Sequence, residues 1–312
     1  MSNPYRGKHA SSEPWAVASQ AQTRRPRHAV RHKKRRGWYW LGGILLALML
    51  LWPFLEGHLV STEHVILQED DLPADINHLN IVFISDVHYG FGFSDWDLDR
   101  LVNRVNSLKP DLVIFGGDYA TDNLSAIRFF NKLPSIHARY GILGVIGDTD
   151  RGESPVDLTQ LTDAMRNAGV IPLVNDVSAV RIGTTPIWIA GVDDVLTGEP
   201  DVSYVASRVK ASDYVILVCH NPSVIPDAQL AVDSSGSLSW FDLGLFGHTH
   251  GGQMMFFSPL LGIGDDVPSR YAGGWYKENR VDLLVSRGVG MEKFPARLFC
   301  APQIHQIEIT VR

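Results

Sequence analysis

The stretch that decides the fold is Asn80-Ile81-Val82-Phe83-Ile84-Ser85-Asp86-Val87-His88-Tyr89-Gly90. Residues 80–85 form a continuous run of β-favouring side chains, which predicts a strand buried on both faces, as in a parallel sheet. Asp86 and His88 follow at the carboxyl end of that strand. Because ligands of open parallel sheets bind beyond the carboxyl ends of the strands, these two side chains are candidates for a functional site.

A helix is predicted after this strand, and the strand–helix pair then repeats along the chain. Apolar residues at 98, 101, 102, 105 and 108 share one helical face, with Ser94 as the predicted N-cap and Pro110 as the stop. The further elements predicted in this way are strands at 111–115 and 141–146 and helices at 122–133 and 156–168. Strands that alternate with helices indicate an α/β protein with a largely parallel sheet.

The remaining apolar runs predict more strands. They are an edge strand within residues 61–77 and strands at 187–190, 214–219, 281–285 and 304–311. We expect the last two to lie in a second sheet that packs on the first. The predicted fold class is therefore α/β, with two packed β-sheets flanked by helices.

Two histidines stand one residue apart in Phe246-Gly247-His248-Thr249-His250-Gly251-Gly252, directly after the apolar run 243–246. We expect an extended backbone through Thr249, with the two imidazoles directed at different metal ions. The flanking glycines allow close approach of the backbone to an ion or a phosphate.

Carboxylates and imidazoles recur at the ends of the other predicted strands. The candidate metal ligands are Asp86, His88, Asp118, Asp148, His220, His248 and His250. Oxygen and nitrogen donors from five loops suit two divalent transition ions, of which Mn, Fe and Zn are the candidates. Asp118 is a candidate to bridge the two ions.

In order and spacing, these motifs resemble those of the calcineurin-like metallophosphoesterases. The motifs are Asp-x-His at 86–88, Gly-Gly-Asp at 116–118, Gly-Asp-Thr-Asp at 147–150, His220 and Gly-His-Thr-His at 247–250. The resemblance covers residues 72–311 and is closest to a membrane-associated or exported bacterial subgroup, through features such as Gly191-Val192-Asp193-Asp194 and Arg297. It implies an αββα sandwich in which Asp86, His88, Asp118 and His250 hold one ion and Asp118, Asp148, His220 and His248 hold the other.

The third motif departs from the family's usual Gly-Asn-His-Asp, because Asp148 takes the Asn position and Thr149 the His position. Two ions of this kind would polarise a phosphate ester and lower the pKa of a bridging water to give a hydroxide nucleophile. An extra carboxylate should hold metal more tightly and slow turnover. Thr149 occupies the general-acid position, but a threonine hydroxyl cannot protonate a leaving group near pH 7. We therefore expect a preference for leaving groups that are stable as anions, such as aryl esters or phosphoanhydrides.

The first 60 residues have a different composition from the rest. Residues 1–36 hold 10 of the 28 Lys and Arg and one acid, which leaves 18 bases against 33 acids in the remainder. We predict a disordered basic tail over residues 1–37, a transmembrane anchor over 38–59 and a catalytic domain over 60–312. The uncharged run from Trp38 to Leu55 is long enough to cross a bilayer, and the acidic body argues against a nucleic acid partner.

The basic tail places the N-terminus in the cytoplasm by the positive-inside rule. The predicted protein is a single-pass protein of the bacterial inner membrane with an extracytoplasmic domain. We expect this domain to act on a phosphoester or phosphoanhydride, and lipid-linked compounds are among the candidate substrates.

Two alternatives remain open from the sequence. One is a UDP-2,3-diacylglucosamine-type pyrophosphatase of lipid A synthesis, which also lacks the motif histidine. The other is a metal-binding protein whose catalysis is weakened by the change at Asp148 and Thr149.

Overall fold

The computed structural model describes residues 32–70, 72, 76–254 and 266–312, with side chains described from residue 37 onward. Most of the predicted basic tail, residues 1–31, lies outside the described part of the chain. The described residues divide into two compact units, one ending at Ala47 and one beginning at Leu48.

In chain order, the helices and strands of the described residues are α1 (His32–Glu56), β1 (Ser61–Glu69), β2 (Leu79–Ile84), α2 (Asp95–Ser107), β3 (Leu112–Phe115), α3 (Asn123–Lys132), β4 (Ile142–Gly144), α4 (Pro155–Asn167), β5 (Val170–Pro172), β6 (Asp176–Ile182), β7 (Thr185–Gly191), α5 (Val202–Ala206), β8 (Tyr214–Val218), α6 (Ile225–Leu230), β9 (Leu243–Phe246), β10 (Gly274–Glu278), β11 (Val281–Val285) and β12 (Gln303–Val311).

Helix α1 contains the one segment of the described chain that is long and apolar enough to cross a membrane, Gly37–Glu56, with a mean hydropathy of 1.7 and no buried residue in its apolar window. Twenty helical residues extend about 30 Å, close to the thickness of the hydrocarbon core of a bilayer. The helix begins at His32, inside the predicted basic tail, and contains Pro53 in its last turn.

The first sheet has the strand order β1-β12-β2-β3-β4-β5. Strands β2, β3 and β4 are parallel, as predicted, and β1 is an edge strand; β5 is a further parallel strand that was not predicted. The prediction for β12 was wrong, because this strand lies in the first sheet, parallel to β1 and antiparallel to β2. Its register pairs Ile307 with Ile81 across the sheet, and this long-range pairing cannot be read from the local pattern of the strand.

The second sheet has the strand order β10-β11-β9-β8-β7-β6, with parallel β11, β9, β8 and β7 between two antiparallel edge strands. Buried side chains from both sheets share one apolar core, including Ile81 and Phe83 from the first sheet and Ile216 and Leu245 from the second. Helices α2, α3 and α4 pack on the outer face of the first sheet, and α5 and α6 on that of the second. The predicted αββα arrangement is confirmed.

Local sequence explains where the helices begin. Ser94 caps α2 through a capping box with Asp97, as predicted, and Ser154 caps α4 in the same way with Asp157. Each pair satisfies backbone N–H groups that a helix leaves unpaired in its first turn. The two caps therefore fix where α2 and α4 begin after the loops that follow β2 and β4.

Candidate metal centre

The structure brings all seven predicted ligands together at the carboxyl ends of β2, β3, β4, β8 and β9. They form three overlapping groups in which the possible ligand atoms lie within 4.8 Å of one another: Asp86, His88 and His250; Asp86, Asp118 and His220; and Asp148, His220 and His248. Five loops that are far apart in sequence therefore converge on one cluster, as parallel strands in neighbouring sheets allow.

The group of Asp86, His88 and His250, which we call the first group, is almost completely buried. The His88 and His250 Nε2 atoms lie 2.9 Å apart, and His250 Nε2 is 3.7 Å from Asp86 Oδ1. Burial lowers the pKa of His250 well below its usual value, and the nearby His88 and Arg297 lower it further. The imidazole is thus kept neutral, which is the form that can donate a lone pair to a metal ion.

Asp118 lies between the first group and the group of Asp148, His220 and His248. Its Oδ2 atom is 3.5 Å from His88 Nε2 and 3.4 Å from His220 Nε2. Its Oδ1 atom accepts a hydrogen bond from the backbone N–H of Thr149 at 3.1 Å. One oxygen is held by the third motif while the other faces histidines of both groups, so Asp118 is the residue that would be shared between two ions.

The group of Asp148, His220 and His248, which we call the second group, is more open to solvent. Asp148 Oδ1 lies 3.2 Å from His220 Nε2 and 3.1 Å from His248 Nδ1, and its side chain is 25% exposed. Burial alone would raise the pKa of Asp148, but hydrogen bonds with the two histidines hold it below its usual value. Asp148 points into the cluster. Asp148 and His248 are both partly exposed, so solvent reaches the centre at these two side chains.

The hydrogen bonds around the second group fit a cation between its ligands. His220 Nδ1 lies 2.8 Å from the carbonyl oxygen of Gly116, and His248 Nε2 lies 3.2 Å from Asp266 Oδ2. Both partners are acceptors, so these nitrogens carry protons and the opposite nitrogens turn lone pairs toward Asp148 in the neutral rings. Lone pairs that face a carboxylate at 3.1–3.2 Å require a proton or a cation between them.

Unpaired polar atoms point to the same conclusion. Asp86 Oδ2 and His220 Nε2 are buried without a partner in hydrogen-bond geometry, although His220 lies at ion-pair distance from three carboxylates. Buried polar atoms without a partner are costly, and a divalent ion would satisfy both. The donor set therefore fits two divalent ions, while the assignment of each ligand stays a prediction.

The prediction of an extended backbone at the histidine pair was wrong. Thr249 has a helical conformation, with φ −77° and ψ −17°, and both His248 and His250 have positive φ angles, of 70° and 50°. The chain therefore turns tightly between the two histidines. The turn, which Gly251 and Gly252 continue, sends the two rings to different groups.

Thr149 does not direct a proton donor into the cluster. Its hydroxyl donates to the carbonyl oxygen of Ala120 at 2.6 Å. The neighbouring Asp150 is completely buried, and its oxygens accept from the N–H groups of Tyr119 at 2.8 Å and Gly147 at 3.0 Å. The third motif therefore ties two loops together and contributes one candidate ligand, Asp148.

Two supporting residues complete the centre. Asp266 also accepts a hydrogen bond from Asn221 Nδ2 at 2.6 Å and so is held beside His248; no pattern in the sequence singled it out. Arg297, noted in the sequence only as a subgroup feature, is completely buried and places Nη2 3.1 Å from His250 Nδ1. Its Nε and Nη1 atoms donate to the carbonyl oxygens of Gly290 and Cys300.

A two-sheet α/β fold with carboxylates and imidazoles clustered around a shared aspartate defines a metal-dependent phosphoester hydrolase. Residues 79–252 match the family of calcineurin-like phosphoesterases, and the chain belongs to that family. The family is typically dependent on two metal ions.

Relatives support the same assignment. The chain is 29% identical to the metallophosphoesterase YkuE of Bacillus subtilis, over 80% of this chain and 86% of YkuE. It is 31% identical to the B. subtilis protein YpbG, over 74% of this chain and 81% of YpbG. It is also similar to a Bos taurus protein named as a transmembrane protein with a metallophosphoesterase domain, with 28% identity over 76% of this chain and 54% of that protein.

Proposed function

We propose that this protein is a membrane-anchored phosphoesterase that uses two divalent ions to hydrolyse phosphodiester or phosphoanhydride bonds. Asp86, His88, Asp118 and His250 would hold one ion, and Asp118, Asp148, His220 and His248 the other. The observation that carries the proposal is the position of Asp118, whose Oδ2 lies within 3.5 Å of histidines from both groups. When bound, the ions would supply Lewis acid activation of the phosphate and of a water molecule.

The chain's own residues set the direction of approach. Asp148 and His248 have side chains that are 25% and 15% exposed, while His88 and His220 have none of their side chain exposed. Substrate would therefore enter on the side of the second group. His220 and His248 are oriented there by Gly116 and Asp266, so the ligands are positioned before substrate arrives.

The leaving group would depart without a proton from the third motif, since the Thr149 hydroxyl is engaged with Ala120. This supports the preference for aryl esters and phosphoanhydrides. The alternative of a weakened metal-binding protein is less well supported, because Asp148 points into the cluster and keeps the second group complete.

A direct test compares leaving groups at a fixed charge. The full chain, purified in detergent and loaded with Mn²⁺, should hydrolyse bis(p-nitrophenyl) phosphate far faster than a dialkyl phosphodiester. His220→Ala, which removes a ligand of the second group, should abolish both reactions. Equal rates on the aryl and alkyl diesters would reject the leaving-group preference, and full activity of His220→Ala would reject the two-ion site.

We propose that α1 anchors the enzyme in a bacterial inner membrane with residues 60–312 outside the cytoplasm. The support is the candidate membrane segment Gly37–Glu56 and the run of bases that precedes it. An alkaline phosphatase reporter fused after Arg312 should be active in cells. An inactive fusion would place the domain in the cytoplasm, where the nucleotide-linked substrate of the pyrophosphatase alternative would be found.

A further inference from the structure

The last turn of α1 is joined to the loop of residues 290–300 by a buried carboxylate. Glu56 is 5% exposed, and its two oxygens accept hydrogen bonds from the backbone N–H groups of Cys300 at 2.8 Å and Phe299 at 3.1 Å. Trp52 Nε1 donates to the same carboxylate at 2.8 Å. In addition, the N–H of Arg297 donates to the carbonyl oxygen of Pro53 at 2.9 Å.

The same loop also contacts the metal centre. Arg297 Nη2 lies 3.1 Å from His250 Nδ1, and Cys300 Sγ lies 3.2 Å from the carbonyl oxygen of His250. Arg297 and Cys300 therefore touch both the end of α1 and a candidate ligand. One layer of residues separates the end of the apolar helix from the first ion group.

Large apolar side chains are exposed around this junction. Phe294 is 49% exposed and Phe299 63%, both on the loop, and Leu59 just beyond the helix is 53% exposed. The ring of Phe294 lies 5.9 Å from that of Phe54 in the last turn of α1. Leu59, Phe294 and Phe299, which we call the collar, thus continue the apolar surface of the helix onto the catalytic domain.

We propose that the collar rests in the interfacial layer of the membrane that α1 crosses, so that the metal centre acts on phosphates of lipids that remain in that membrane. This inference rests on the proposed function. Aromatic side chains favour the bilayer interface, and the polar layer is roughly 5–8 Å thick on each side. A centre one residue layer from the helix end is held beside the headgroups, where a lipid phosphate is presented at high local concentration.

Two p-nitrophenyl phosphodiesters with the same scissile bond separate a lipid substrate from a soluble one. The full chain, reconstituted in phosphatidylcholine vesicles, is assayed with methyl p-nitrophenyl phosphate in solution and with hexadecyl p-nitrophenyl phosphate in the vesicles. Phe294→Ser combined with Phe299→Ser should lower kcat/KM for the hexadecyl ester by about tenfold or more and change that for the methyl ester by less than about twofold.

The matched control combines Leu230→Ser with Leu238→Ser, which removes two apolar side chains that are 74% and 56% exposed outside the collar. This control should leave both rates unchanged. Equal losses on the two esters, or no loss on either, would overturn the inference while leaving the proposed function standing. A parent protein that hydrolyses neither ester would refute the proposed function, and the inference with it.

A nitroxide attached at Phe299→Cys measures the position of the collar without any catalysis. Cys219 and Cys300 are buried and should not be labelled. In vesicles the label should be accessible to oxygen and protected from a water-soluble nickel chelate, unlike a label at Leu238→Cys. Exposure to the chelate would contradict the proposal, and dipolar broadening between labels would show that a second copy of the chain covers the collar instead.

Discussion

Five of the seven candidate ligands have backbone conformations that most residues avoid. Asp86, His88, Asp118, His248 and His250 all have positive φ angles, between 45° and 70°. Each such residue costs about 1–2 kcal/mol relative to a right-handed conformation. The surrounding hydrogen bonds hold them in place, for example from the N–H of His248 to Asp86 Oδ1 at 2.8 Å. Clustered strain of this kind indicates a site whose ligands are positioned in advance.

The charge of Asp148 should set how tightly the second ion is held. Asp148→Asn removes one negative charge from the group with His220 and His248, and the family pattern has Asn at this position. We expect the affinity for the second ion to fall by about tenfold, ~1.4 kcal/mol, and kcat on bis(p-nitrophenyl) phosphate to rise several-fold. Metal titration and steady-state kinetics measure both. Unchanged affinity and unchanged turnover would contradict this role.

Thr149 should limit the range of leaving groups. Thr149→His would introduce a proton donor at the general-acid position, and we expect it to raise turnover of an alkyl diester while changing that of the aryl diester little. The loss of the hydrogen bond to Ala120 should cost about 1 kcal/mol of stability. Thr149→Val, which loses the same bond without adding an acid, is the control. If Thr149→Val raised turnover of the alkyl diester as much as Thr149→His does, residue 149 would not be the general-acid position.

The ends of the strands position the loops that carry the candidate ligands. Gly117 follows β3 with φ +88°, and a Cβ atom there would lie 2.7 Å from the N atom of Gly147 and 2.9 Å from His220 Nδ1. The loops after β3, β4 and β8 can approach one another only because this residue has no side chain. The spacing between Asp118 and His220 depends on this contact.

Gly117→Ala should therefore disturb both stability and metal binding. The control is Gly141→Ala, which has a comparable φ of +104° but no atom within 4 Å of the added Cβ. Backbone strain alone should cost about 1–2 kcal/mol in each variant, and the clash should add to this only at Gly117. Thermal unfolding and metal titration should show a larger loss of stability and weaker ion binding for Gly117→Ala. Equal losses would show that the close contact does not matter.

The central strands and helices could be predicted because their signals are local. Continuous apolar runs identified β2, β3 and β8, and a capping residue identified the start of α2. The edge strands β5, β6 and β10 were missed. Strand β5 has only three residues, and β6 and β10 are half-exposed and mix polar with apolar residues, so that none of the three contains a long buried apolar run. The ligands were found because each follows one of the central strands.

At the scale of the whole molecule, the contacts that the sequence did not predict are those between distant segments. The placement of β12, the hydrogen bond of Asp266 with Asn221 and the joining of Glu56 to Cys300 each depend on how separate elements meet. No local periodicity encodes such long-range contacts.

The two sheets also bring acidic residues together. Burial raises the pKa of Glu69, at the end of β1, and Asp282 and Asp242 from the second sheet and the loop before it raise that pKa further.

Asp242 should make stability depend on pH. It precedes β9, and burial raises its pKa to about 6, although Val215 N–H donates to it at 2.8 Å. The pKa of Asp242 is higher in the folded state than in the unfolded state, so its contribution to the free energy of unfolding is complete below about pH 4. This contribution is lost as the pH rises through about 6, and the loss is at most about 3 kcal/mol. Asp242→Asn should therefore gain Tm relative to the parent as the pH is raised from 5 to 7. A constant or reversed difference would contradict this.

The most direct test of the two-ion centre is the number of ions needed for activity. Full-length protein stripped with a chelator is titrated with Mn²⁺, and bound metal and hydrolysis of bis(p-nitrophenyl) phosphate are measured at each step. We predict that activity reaches its maximum at two ions per chain and that His220→Ala stops at one ion without activity. Full activity in the stripped protein, or two bound ions without hydrolysis, would contradict the two-ion mechanism.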